Sequence, residues 1–149
     1  MQTSPSRAAQ ARYARHLILY DGGCGFCRNA VVAVARLDHA QAFQFASLDS
    51  KLAGELLAER RIAPRGAGTM YVLPNWQHSG QSVLDRASAA LFIARGLAWP
   101  WKGLTALGVL PQWFLDRCYD AVARNRHRLT RGADACEMPD RTVQDRFVP

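Results

Sequence analysis

Long apolar runs are missing from this chain of 149 residues. No stretch reaches the roughly 18 apolar residues that a membrane span needs, and the nearest candidate, residues 96–115, is interrupted by Pro100, Lys102 and Pro111. It is predicted to form packed helices with a proline break. Residues 1–15 contain three arginines, no acid and no apolar core of a secretory signal. We expect a disordered basic tail there, with an organellar transit peptide as the alternative.

Cysteine is scarce, with four residues in the whole chain. Four unevenly spaced cysteines are too few for a secreted disulfide scaffold of this size, so a reducing compartment, the cytoplasm, is predicted. Cys118 and Cys136 do not form a second C-x-x-C, which disfavours a four-cysteine zinc site. The four histidines are scattered and show no i, i+4 pair, so no metal or other cofactor is expected.

Lysine and acidic residues are also few: the chain has two lysines among 19 cationic residues, 12 acids and a net charge of +7. A basic balance favours acidic partners. However, the arginines are spread over the whole sequence, so binding to nucleic acid or to an anionic membrane is not favoured. The basic run at residues 123–128 is interpreted as a solvated helix face, with docking of an acidic partner as the alternative.

The patterns that are present predict an α/β protein. Apolar and alternating runs bounded by Gly, Pro, Asn and Asp predict strands, and helical spacing with N-cap residues predicts helices. Their order is that of a thioredoxin/glutaredoxin-like β-α-β-α-β-β-α core, followed by a C-terminal helical extension. We expect one domain over 16–137 and a tail over 138–149. The predicted strands are 16–20, 42–48, 69–73 and 81–85, and the predicted helices are 24–37, 49–61 and 86–97, with further helices beyond.

Two cysteines stand three positions apart in YDGGCGFCRNAV, residues 20–31, between the first strand and the first helix. Disulfide exchange requires a thiolate, and the amides and dipole of a helix N-terminus stabilise a nearby anion. Cys24 is therefore predicted to point outward and attack a substrate disulfide, and the shielded Cys27 to resolve the mixed disulfide. The client disulfide and the external reductant are not identified by the sequence. Two buried, unreactive thiols and a Cys-ligated metal site are the alternatives.

The chain resembles the DCC family of predicted thiol-disulfide oxidoreductases, which is named for an Asp-x-x-Cys-x-x-Cys signature. Asp21, Cys24 and Cys27 match that signature, and the resemblance continues in SAALFIARGL, in LPQWFLDRCYDAVARNRHRL and in the closing ADAC. It implies a thioredoxin-like fold and dithiol/disulfide exchange. Thioredoxins carry a cis-proline before the third strand, facing the cysteines, whereas Thr69 occupies that region here.

Several further residues are assigned around the pair. Asp21 either accepts the proton of Cys27 or holds the turn through backbone amides, and we favour the second role. Cys118 is expected to be a packing residue. The four tryptophans are expected to be buried against the sheet, with lining of the cleft near Cys24 as the alternative; they are Trp76, Trp99, Trp101 and Trp113. The expected substrate-binding residues are Gly22, Gly23, Gly25, Phe26 and Thr69, and the auxiliary candidates are Arg28, for positive potential, and Cys136, as a third redox thiol or a packing residue.

Overall fold

The computed structural model describes residues 16–63, 69–77, 82–129 and 141–149. These residues form a mixed sheet with helices on both faces. The strands are β1 (His16–Tyr20), β2 (Phe43–Ser47), β3 (Tyr71–Leu73), β4 (Leu84–Asp85) and β5 (Phe147–Val148). The helices are α1 (Gly25–Leu37), α2 (Lys51–Glu59), α3 (Arg86–Gly96), a 3₁₀ helix (Trp101–Val109), α4 (Gln112–Leu129) and α5 (Arg141–Gln144).

The sheet has the strand order β4-β3-β1-β2-β5. β1 pairs with β2 in parallel, and β3 pairs antiparallel with both β1 and β4. A parallel pair requires a crossover, which α1 provides. The predicted order of strands and helices is confirmed, and the fold is a mixed α/β arrangement of the thioredoxin-like kind.

Strand β2 differs from its predicted pattern. The sequence predicts alternation between a buried and an exposed face, but Phe43, Gln44, Phe45 and Ala46 are all buried. The reason is that β2 lies between β1 and β5 with a helical layer on each face, so neither side meets water. The polar Gln44 is accommodated because its Oε1 accepts a hydrogen bond from Trp76 Nε1 at 3.2 Å.

Two apolar clusters hold the layers together. One lies between the sheet, α1 and α3, and the other lies between the sheet and α2. The first contains Ile18, Val31, Ala35, Phe43, Phe45, Val72, Ala89, Ile93 and Leu97. The second contains Leu17, Leu19, Ala46, Ala53, Leu56, Leu57, Tyr71 and Leu73.

The C-terminal residues take part in the sheet, whereas the sequence predicted a tail over 138–149. β5 pairs in parallel with β2, and the buried Arg146 anchors it. The Arg146 guanidinium pairs with Asp38, donates to Ala35 O at 2.9 Å and to Phe43 O at 2.8 Å, and stacks on the Phe45 ring. Periodicity could not reveal this strand because it is two residues long.

The C-terminal helices differ from the expectation of buried tryptophans. Trp99, Trp101 and Trp113 are exposed, and only Trp76 is half-buried. Cys118 is also exposed, so its assignment as a packing residue is wrong. The 3₁₀ helix packs on α3, and none of its residues is buried by the described part of the chain. Within the described ranges, none of the helices combines the length and apolarity needed to cross a bilayer.

Candidate functional site

The cysteine pair lies where the chain leaves β1 and enters α1, as predicted. Cys24 is the N-cap of α1, with extended φ and ψ angles of −97° and 111°. Its Sγ accepts a hydrogen bond from the Cys27 backbone N–H at 3.4 Å. The sulfur therefore lies at the unpaired amides of the first helical turn.

Asp21 holds the turn before the pair. Its Oδ1 accepts a hydrogen bond from the Gly23 N–H at 3.0 Å, and its carbonyl accepts from the Cys24 N–H at 3.2 Å. This Asx-type arrangement is the turn-holding role that the sequence favoured for Asp21. The carboxylate is also close enough to act electrostatically on Cys27.

The glycines around Cys24 have different surroundings. A Cβ on Gly22 would lie 2.6 Å from Ser47 Oγ, so a side chain at this position requires the hydroxyl to move. At Gly23 the nearest atom would be 3.4 Å away, and at Gly25 no atom lies within 4 Å. Gly23 and Gly25 are exposed and flank Cys24, so they form the open side from which another molecule can approach.

Both sulfurs are shielded from solvent. Cys24 exposes 8% of its surface and Cys27 exposes 5%, so the prediction of an outward-pointing Cys24 is wrong, whereas the prediction of a shielded Cys27 is confirmed. The capping hydrogen bond explains this, because it draws the Cys24 side chain back over the first turn.

The Cys27 thiol keeps its proton at neutral pH. Burial raises its pKa to about 12, helped by its hydrogen bond to the Cys24 side chain and by the charges of Cys24 and Asp21. The positive charge of Arg126 acts in the opposite direction and lowers it. Cys27 is therefore a proton donor at neutral pH, which fits a resolving residue and does not fit an attacking one.

An apolar cavity of about 380 Å³ adjoins the pair on the Cys27 side. Its walls come from α1, α3, α4, the 3₁₀ helix and the residue before β3. Among mostly apolar side chains its lining includes Cys27, Tyr119 and Arg126, and the charge of Arg126 acts on the Cys27 thiol. A cavity with apolar walls and a few convergent polar groups is the usual form of a ligand-binding site.

The other predicted residues are distributed unevenly around this cavity. Phe26 contributes to its wall, whereas Arg28 is exposed on the surface of α1. Thr69 is half-buried and directly precedes Met70, which lines the cavity. Cys136 lies outside the described residues, and Cys118 does not line the cavity.

Tyr119 and Arg126 belong to the site but were not predicted as site residues. Tyr119 hydrogen-bonds the backbone of Met70, and burial raises its pKa. Arg126 lines the cavity, whereas its neighbours Arg124 and Arg128 are exposed, so the solvated-face interpretation of this run does not apply to Arg126. Both residues fall in the C-terminal segment that carries the family resemblance. That resemblance was the one signal in the sequence that could have identified them as site residues.

The arrangement of possible metal-ligating side chains bears on the alternative of a Cys-ligated metal site. Within the described part of the chain, no group of three His, Cys, Asp or Glu side chains is arranged to hold a metal ion.

The sheet order, the C-x-x-C pair at the N-terminus of the first helix and the buried second thiol define the class of thioredoxin-like proteins with a dithiol site. The chain belongs to the DCC1-like thiol-disulfide oxidoreductase family, whose model matches residues 18–132. The matched region contains both cysteines of the pair and the segment with Tyr119 and Arg126.

Two curated relatives are similar over most of the chain. The uncharacterized protein YuxK of Bacillus subtilis is 27% identical over 133 residues, which cover 89% of this chain and 93% of YuxK. A DCC family protein of Arabidopsis thaliana, described as chloroplastic, is 27% identical over 125 residues, which cover 83% of this chain and 70% of that protein. No solved structure matches the chain at a significant level.

Proposed function

We propose that the protein is a thiol-disulfide oxidoreductase that works by dithiol/disulfide exchange through Cys24 and Cys27. The observation that carries this proposal is the asymmetry of the pair. One sulfur caps a helix N-terminus, and the other keeps its proton because of burial. The family membership supports a redox role of this kind.

The proposed first step is attack by the Cys24 thiolate on a client disulfide. A bond forms between the Cys24 sulfur and one client sulfur, and the second client sulfur leaves as a thiolate. The open side at Gly23 and Gly25 provides the approach, and the apolar cavity is suited to an apolar part of the client. Phe26 and Thr69 are proposed as contacts to the client near the cavity.

The proposed second step is resolution by Cys27. Its sulfur attacks the Cys24 sulfur, its proton passes to the departing client thiolate, and the client leaves fully reduced. Asp21 keeps the turn in place, and its charge helps to hold the Cys27 proton until the mixed disulfide has formed. The Cys24–Cys27 disulfide is then reopened by an external thiol reductant in a reducing compartment, which we propose to be the cytoplasm.

The decisive experiment measures the oxidation of the protein thiols and the reduction of a disulfide probe in the same reaction. The reduced protein is mixed with a stoichiometric low-molecular-weight disulfide, and the products are identified by mass spectrometry. We expect the loss of two hydrogens, localised to a Cys24–Cys27 bridge, with release of reduced probe. Cys24→Ser abolishes this reaction, and Cys27→Ser accumulates the mixed disulfide at Cys24.

The matched control is Cys118→Ser, which removes an exposed thiol outside the cavity and leaves the reaction unchanged. If Cys24→Ser retains full activity, the proposal is wrong. The alternative from the sequence, a binding module that uses the basic surface of the C-terminal helices, predicts that Cys24→Ser and Cys27→Ser leave function intact.

A further inference from the structure

The large exposed apolar side chains are concentrated in one stretch of the chain. Within the described residues, every large hydrophobic side chain that is exposed lies between positions 99 and 122, and we call this region the 99–122 surface. Its members are Trp99, Trp101, Leu104, Leu107, Val109, Leu110, Trp113, Phe114 and Val122. Single exposed apolar residues are common on protein surfaces, but a concentration of this kind marks an interaction site.

Folding alone does not explain these side chains. The 3₁₀ helix in the middle of the surface contains no buried residue, although it packs against α3. Trp99 is 82% exposed and Val109 is 90% exposed. Trp113 and Phe114 meet edge-to-face at 5.9 Å and are both exposed, so their contact is with each other rather than with the core. Trp101, Leu104 and Val122 also line the cavity beside Cys27, whereas the other members are left uncovered by the described part of the chain and are available to a partner.

The charges around this surface are mostly positive. From 86 to 129 the sequence has seven Lys and Arg residues and two acids, a difference of five cations. Both acids are half-buried and engaged: Asp116 accepts from Gln112 at 3.1 Å, and Asp120 lies 3.9 Å from Arg86. The fully exposed charges of this stretch are the cations Arg95, Lys102, Arg117, Arg124 and Arg128.

We propose that the 99–122 surface docks the protein on an anionic phospholipid bilayer without crossing it. Tryptophan is suited to the membrane interface because it has a large apolar body and a polar N–H, and Leu and Phe supply apolar area for the acyl boundary. Exposed Lys and Arg beside these side chains are attracted to anionic headgroups. Apolar contact and electrostatic attraction then act through exposed side chains of the same stretch of the chain.

A second copy of the chain fits this surface less well. A second copy carries the same excess of exposed cations in this stretch, so a symmetric dimer through it has no charge complementarity. An anionic bilayer meets the same cations with opposite charge.

The test is co-sedimentation of the full chain with vesicles of two compositions. One contains phosphatidylglycerol and phosphatidylcholine in equal parts, and the other contains phosphatidylcholine alone. We expect binding to the anionic vesicles to be at least about tenfold stronger, given the contribution of each cation at an anionic surface. Tryptophan emission shifts to the blue on binding, and added salt weakens the binding.

Two variants separate the two contributions. Trp99→Gln with Trp113→Gln removes apolar contact, and Lys102→Glu with Arg117→Glu reverses two charges. All four side chains are exposed, so the fold is retained, and circular dichroism verifies this. Each pair of substitutions is expected to weaken binding by about tenfold or more. The matched control is Lys51→Glu on α2, whose side chain is 92% exposed and distant in sequence; it leaves binding unchanged.

Three results overturn the proposal. The first is equal binding to both vesicle types, or binding to neither. The second concerns the variants. Either the protein with Trp99→Gln and Trp113→Gln binds the anionic vesicles as tightly as the wild type, or Lys51→Glu weakens binding as much as Lys102→Glu with Arg117→Glu does. The third is a dimer in sedimentation equilibrium that dissociates in the tryptophan variant, since the surface then belongs to a second copy. The redox reaction of Cys24 and Cys27 is measured separately, so either proposal can fail without the other.

Discussion

The proton on Cys27 provides the most direct test of the site. Burial raises the pKa of this thiol to about 12, whereas a free cysteine has a pKa of about 8.5. At pH 8 the thiolate fraction is then on the order of one in ten thousand for Cys27 and roughly one quarter for a free cysteine. Since only thiolates are alkylated at an appreciable rate, Cys27 is expected to react on the order of a thousandfold more slowly than N-acetylcysteine.

The assay uses iodoacetamide and peptide mapping between pH 7 and pH 10. The Cys24→Ser variant leaves one cysteine in the relevant peptide and keeps a hydrogen-bond acceptor at position 24. It removes the smaller contribution of the Cys24 charge to the raised pKa of Cys27 and retains the largest one, burial. The Cys27 rate is expected to rise about tenfold per pH unit over the whole range. Cys118, exposed in the same molecules, verifies that the reagent is active.

The pH dependence distinguishes ionisation from restricted access. If burial only blocks the reagent, the Cys27 rate is low but levels off near pH 9, and this result refutes the argument. Arg126 gives a second check, because its charge lowers the pKa of Cys27. Arg126→Gln is expected to slow alkylation further, whereas Arg124→Gln, an exposed neighbour on the same helix, has little effect.

Three further predictions concern stability. Arg146→Met leaves a buried carboxylate without its partner and is expected to lower the free energy of unfolding by about 3 to 5 kcal/mol in urea titrations; a change below about 1 kcal/mol contradicts this. Above about pH 9 the Cys27 thiol loses its proton in the unfolded state but keeps it in the folded state. The free energy of unfolding is therefore expected to fall as the pH rises from 9 towards 12, by up to about 1.4 kcal/mol per pH unit. Cys27→Ala should flatten that alkaline decline, and an unchanged pH profile argues against it. Gly22→Ala forces a Cβ against Ser47 Oγ and is expected to lower the melting temperature, while Gly25→Ala, with open space, does not; equal effects of the two substitutions contradict the packing argument.

The sequence predicted the centre of the fold and the position of the pair. β1 has its predicted limits of 16 and 20, and both cysteines lie at the strand-to-helix turn. Apolar runs, glycine turns and a change of period are local signals, and they were sufficient here. The helix cap made by the Cys24 sulfur follows from the same local geometry.

Features that depend on tertiary packing were not predicted. β2 alternates in sequence but is buried on both faces, because the layers on either side come from distant segments. Cys118 was predicted to be a packing residue because it is a cysteine in a helical stretch, but it lies on the exposed side of α4. Arg126 looks like Arg124 and Arg128 in sequence, yet only the packing of α4 over α1 places it at the cavity.

The position of β5 at the edge of the sheet determines how a variant with a weakened Arg146 anchor is expected to aggregate. β5 covers the open edge of β2, whose segment FQFAS is apolar and extended. If Arg146 no longer holds β5, the backbone N–H and C=O groups along that edge become a template for strands of other molecules. Variants of this anchor are therefore expected to precipitate through edge-to-edge pairing before they unfold globally, and turbidity on mild heating should reveal it before circular dichroism does.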